Sequence, residues 1–213
     1  QVAGDHTAGV VTVGQWALVG DLAASVRERV RVTVVAPAGM AVDPGRKAGF
    51  LVKFLEPYSF RDGPAERVTL VVAPDALPAK GRTYDRTGYV TQHAFWDGDV
   101  GSVWIHEYVH ARRTFALAPG MRWFSEASAT YVSYRVLEEQ YDAVTDADVL
   151  ARFAARPDFE GVALANRSAW KGTGANYDRG AKLLYAVDAA VRAGSDGNHT
   201  LVDVFRALDR RDR

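Results

Sequence analysis

The chain changes character at Asp97-Gly98-Asp99, and that change limits what it can fold into. Before it, short β-branched runs alternate with Pro and Gly. After it, apolar residues recur at helical spacing. Strands are expected over about 10–19, 30–36, 68–73 and 84–95, the third a β-branched run and the last rich in Thr, Tyr and Val. One helix is expected in the front half, at 44–55. Pro44 suits a first turn, and Phe50, Leu51, Phe54 and Leu55 make an apolar stripe. The back half reads as helices over 100–116, 123–141, a third capped by Thr145 with Asp148 as its capping-box partner, 175–192, and a last one opened by Thr200 and Asp203 to about 210. Residues 156–174 read as a long loop. A β-rich front and a helical back define an α+β protein. The reading is a single bilobal domain over 1–213, with a β-rich lobe at 1–97 and a helical lobe at 98–213.

The first helix after the junction carries His106-Glu107-Tyr108-Val109-His110. Residues four apart lie on one face of a helix, one turn apart, so both imidazoles can reach one metal ion. Glu107 projects from the neighbouring side, where it can touch a water on that metal. This is the H-E-x-x-H pattern of metal-assisted hydrolysis. The chain has no cysteine, so any metal must be held by His, Asp or Glu. Catalytic zinc commonly has three protein ligands and a water. Glu126 is the candidate third ligand. Fifteen residues separate it from His110, enough for the first helix to end near Pro119-Gly120 and an antiparallel helix to bring Glu126 back. Glu138 and Glu139 lie about three turns further on, roughly 18 Å along a helix, too far to share the ion.

Composition narrows the partners. Lys plus Arg and Asp plus Glu are 26 each, so net charge gives no argument for nucleic acid or an acidic membrane surface. No run of eighteen apolar residues exists, so nothing here reads as a membrane span. A start at Gln1 reads as a processed or excised chain, and an extracytoplasmic or secreted location is the expectation. Asn166-Arg167-Ser168 and Asn198-His199-Thr200 fit the N-glycosylation pattern, which is common by chance. Oligomeric state is left open.

Three segments carry a family resemblance. His106 to His110 matches H-E-x-x-H. Trp123-Phe124-Ser125-Glu126-Ala127-Ser128-Ala129-Thr130-Tyr131 is similar to the W-x-N-E-G-x-A-T-Y segment of aminopeptidase N and leukotriene hydrolase relatives. Tyr177-Asp178-Arg179-Gly180-Ala181 resembles their Y-x-K-G-A/F helix start. The chain thus resembles a gluzincin metallopeptidase, nearest the glycyl aminopeptidase branch. The resemblance implies a zincin-like (thermolysin-like) domain with the active site between its two lobes. It implies one Zn²⁺ per chain held by His106, His110 and Glu126. It also implies Glu107 as general base, Tyr177 as oxyanion stabiliser and a peptide or protein as substrate. Thr130 is a candidate second partner for the ligand set. Such aminopeptidases hold the substrate amine with an acid on an edge strand before the zinc helix. Residues 87–96 are the corresponding strand by this reading, and Gln92 stands there without a glutamate. An endopeptidase, or a peptidase of undefined directionality, is therefore the expectation. An aminopeptidase is the alternative, and a catalytically silent zinc-stabilised binding module is the alternative of another class.

Overall fold

A computed structural model describes residues 5–13, 16–27, 32–55, 58, 67–94, 101–113, 115–141, 143–156, 159 and 161–211. The chain packs as two compact units, one holding the sheet with two helices and the other the remaining helices.

The first unit is built on one sheet of six strands: β1 (Asp5–Val13), β2 (Trp16–Arg27), β3 (Val32–Pro37), β4 (Val68–Ala73), β5 (Gly81–Tyr84) and β6 (Thr87–Thr91). Their order is β1-β2-β3-β4-β6-β5. The β3-β4 and β4-β6 pairs are parallel and the others antiparallel. Parallel strands are buried on both faces and need unbroken apolar runs. Accordingly Val32, Val34, Val68, Leu70, Val72 and Val90 are fully buried on one side, and Val35, Val71, Ala73 and Tyr89 form a core with Val13 on the other. Helix α1 (Pro44–Leu55) follows Asp43, whose carboxylate accepts from the Gly45 and Arg46 amides at 2.7 and 3.1 Å. This is an N-cap placed just ahead of the helix-initiating proline. α1 lies on β2 and β3, and α2 (Val103–Arg112) lies on β4, β5 and β6.

Two strand expectations change. The run 10–19 is two strands, since residues 10–13 and 16–19 pair with each other, Val10 opposite Val19 and Val13 opposite Trp16. The run 84–95 is also divided. A tight turn at Asp85, whose φ of 52° is in the left-handed region, folds β5 back on β6, and β6 ends at Thr91. In both places strand-forming residues resume just past the reversal, at Trp16 and at Thr87, so a window of about ten residues reads as one strand. Asp97-Gly98-Asp99, Phe95 and Trp96 lie outside the described residues.

The second unit contains α3 (Trp123–Tyr141), α4 (Asp146–Ala154), the short α5 (Arg167–Trp170), α6 (Ala175–Gly194) and α7 (Leu201–Arg211). α3 has the expected bounds, and α4 has the expected capping box. Thr145 Oγ1 accepts from the Asp148 amide at 3.2 Å, and the Thr145 amide donates to Asp148 Oδ2 at 2.8 Å. α5 interrupts the expected long loop, with Asn166 capping it through the Ser168 amide at 3.1 Å. Asp188, fully buried on α6, accepts from the Leu201 amide at 2.8 Å, Arg192 at 2.8 Å and Arg135 at 3.1 Å, tying α7 and α3 to α6. Among the described residues no helix is long and apolar enough to cross a membrane.

Candidate metal centre

α2 is apolar on most of its circumference. Trp104 and Ile105 are fully buried, and Tyr108, Val109 and Ala111 nearly so. A helix of this kind is fixed by packing rather than by intrinsic propensity, here against the sheet of its own unit. It is shorter than the expected 100–116, ending at Arg112. His106 and His110 are half-buried on it. Their Nε2 atoms are 3.0 Å apart, with ring centroids at 4.7 Å and planes at 78°. Two nitrogens bound at about 2.0–2.1 Å to one tetrahedral ion would stand roughly 3.4 Å apart. The observed separation therefore suits a shared cation.

Glu107, between the histidines in sequence, is only 6% exposed. A buried carboxylate is costly unless donors reach it. Thr83 of β5 supplies one: its hydroxyl lies 2.7 Å from Glu107 Oε2 and 3.0 Å from the Glu107 carbonyl oxygen. Gly81, two residues earlier on β5, leaves room for the side chain. A Cβ there would lie 2.6 Å from Glu107 Cγ and 2.8 Å from Oε1. Neither Thr83 nor Gly81 is identified by the sequence reading. Their only sequence signal is a short turn-flanked run, Gly81-Arg82-Thr83-Tyr84.

Glu126 is half-buried in the first turn of α3. Glu126 belongs to the helical unit, whereas His106 and His110 belong to the sheet unit. Two imidazole nitrogens and a carboxylate oxygen, with no thiolate, form a donor set that suits zinc. Arg113 sits near Glu126. Burial lowers the pKa of its guanidinium, and the Glu126 charge acts in the opposite direction. The two later acids have other partners, as their distance along α3 predicts. Glu138 accepts from Arg135 at 2.8 Å and Tyr185 at 2.7 Å, and Glu139 accepts from Arg192 at 2.9 Å and from Tyr58. Thr130 is buried one turn beyond Glu126.

Tyr177 occupies the first turn of α6 and is 40% exposed. Gly174, left-handed at φ 81°, turns the chain into that helix, and its carbonyl accepts from the Tyr177 amide at 2.9 Å. One turn on, α6 meets α3 backbone to backbone. A Cβ on Gly180 would lie 2.5 Å from Ala127 Cβ and 3.4 Å from Ala127 Cα. The crossing thus falls next to Glu126 on one helix and three residues after Tyr177 on the other. We expect Gly180→Ala to destabilise the protein by about 2 kcal/mol, because overpacking costs about 1–3 kcal/mol and helix propensity returns at most about 1. A thermal melt unchanged by the substitution would contradict this contact.

The residues expected to line a substrate strand are not at the sheet edge. β6 hydrogen-bonds to β4 on one side and β5 on the other, so its backbone has no free side for strand addition. The edge strand beside α2 is β5. Gln92 lies beyond β6 in a turn, where its amide donates to Asp75 at 3.1 Å. The absence of an acid nevertheless extends to β5, which contains no Asp or Glu.

This architecture is a gluzincin-like fold. Its sequence matches no family model and no curated protein, but solved structures share the fold. An aminopeptidase N family protein from Idiomarina loihiensis superposes with a TM-score of 0.67 at 16% identity, over 92% of this chain and 42% of that one. Native leukotriene A4 hydrolase from Saccharomyces cerevisiae gives 0.63 at 14%, over 91% and 33%. A mutant M1 zinc metallopeptidase from Deinococcus radiodurans, bound to a Tyr-Ser-Ala substrate, gives 0.63 at 17%, over 98% and 53%. The chain spans between a third and about half of the length of these proteins.

Proposed function

We propose that this chain is a zinc-dependent peptide hydrolase, with His106, His110 and Glu126 as the metal ligands. The observation that carries the reading is the pairing of the two imidazoles at 3.0 Å beside the buried carboxylate of Glu107. Zinc bound there would supply Lewis acidity, acidifying a water and polarising the scissile carbonyl. Glu107 takes one proton from the attacking water, which adds to the carbonyl carbon. The same proton then passes to the leaving nitrogen as the C–N bond breaks. Tyr177 donates its phenol hydrogen to the oxygen that becomes negative. The solved M1 metallopeptidase with a bound tripeptide supports a peptide as the substrate class.

Among the described residues β5 is the edge strand beside α2, and its outer side is the surface on which an extended peptide would pair. Because β5 has no carboxylate to hold a substrate ammonium, we favour internal cleavage or no fixed direction over strict aminopeptidase action. A silent binding module is the weaker reading, since a purely structural metal site has no use for a buried, hydrogen-bonded carboxylate beside its ligands.

The test is a defined peptide library with zinc-loaded protein. Cleavage should occur, and end-group analysis of the products should report direction. Tyr177→Phe should lower kcat on the best peptide by about 10²-fold. Binding of library peptides without any cleavage would replace this reading with the silent module.

A further inference from the structure

We propose that the edge strand β5 is the seat of the general base, and that Thr83 is its positioning residue. The proposal rests on the reading of Glu107 as base given above. A base acts only if its lone pair meets the water proton within hydrogen-bond reach. Glu107 has rotatable bonds that a helix backbone does not hold. Two features of β5 restrain them. Thr83 Oγ1 holds Oε2 at 2.7 Å, and Gly81 is the one residue type that leaves space for Cγ and Oε1 at 2.6 and 2.8 Å from where a Cβ would stand. The second oxygen, Oε1, is thereby left to face its reaction partner.

A hydroxyl also suits both forms of the base that turnover creates. It donates to the carboxylate. Once Oε1 carries the proton, the hydroxyl still donates to Oε2, or turns its hydrogen to the Glu107 carbonyl at 3.0 Å. Neither valine nor alanine can do either. Because β5 is also the edge strand among the described residues, the strand that would pair with the peptide is the strand that aims the base. Position is shared between substrate and base without a separate element.

The experiment uses the full zinc-loaded chain and the library peptide that the wild type cuts fastest. Thr83→Val should lower kcat by about 10–10²-fold, the effect of misplacing a group by about 1 Å, with KM within about twofold and zinc content unchanged. Thr83→Ser should recover most of the loss. A crystal structure of zinc-loaded Thr83→Val should show the Glu107 carboxylate moved from its wild-type position. Thr83→Ala makes the same test should the valine variant not fold. Wild-type kcat in both hydroxyl-free variants, or a loss that Ser does not recover, overturns the proposal. If Glu107→Gln is inactive while Thr83→Val is fully active, the base assignment stands and only the seat falls. If the wild type cuts no peptide, both fall together.

Discussion

Glu107→Gln should reduce kcat by about 10³-fold and leave zinc content unaltered. The substitution keeps shape and an oxygen that can accept from Thr83 at the present 2.7 Å contact. It removes only the capacity to take a proton. General base catalysis contributes typically about 10²–10⁴-fold, and the expected loss lies in the middle of that range. Glu107 is not one of the proposed ligands, so metal retention separates loss of the base from loss of the site. Steady-state kinetics on the best library peptide, with elemental analysis on the same sample, gives both readouts. A variant within about tenfold of wild type would sink the assigned mechanism.

His110→Ala should abolish stable zinc binding. Wild type, dialysed after zinc loading, is expected to hold about one ion per chain. Removing one of three protein ligands deletes a nitrogen that lies 3.0 Å from its partner. A four-ligand structural zinc is worth about 10–16 kcal/mol in apparent terms, so one ligand is worth roughly 3–4 kcal/mol. That is about 10²–10³-fold in affinity, enough for the variant to lose its zinc on dialysis. Far-ultraviolet circular dichroism should be unchanged, because α2 is held by Trp104, Ile105 and Tyr108 rather than by the half-buried His110. An absence of zinc in the wild type, under conditions that supply it, would remove the basis for every catalytic assignment made above.

Local order was largely legible in the residues. Thr145 and Asp148 announce a capping box and form one. Trp123 to Tyr141 reads as a helix and is one. Hidden reversals were not legible. Residues 10–19 and 84–95 each read as one strand because strand-forming residues resume at Trp16 and at Thr87, just past the reversals. A window long enough to score a strand also spans a two-residue turn. The arginines show a similar limit. The guanidinium of Arg179 donates to the Phe159 carbonyl at 2.8 Å. A chain contact twenty residues away leaves no mark on local periodicity.

The sequence by itself determined the pair of histidines and the acid between them, because a four-residue spacing is converted to a common helix face by helical geometry alone. It also limited the donor chemistry, since a chain without cysteine has no thiolate to offer a borderline ion. Tertiary structure decided what surrounds that motif. It set β5 rather than β6 at the edge, because strand order depends on hydrogen bonds between segments distant in sequence. It put Thr83 and Gly81 against Glu107 across twenty-four and twenty-six positions. It brought Gly180 onto Ala127, where only the missing side chain permits the helices to meet. Spacing along one helix is a local property, whereas these contacts exist only once separate elements have packed.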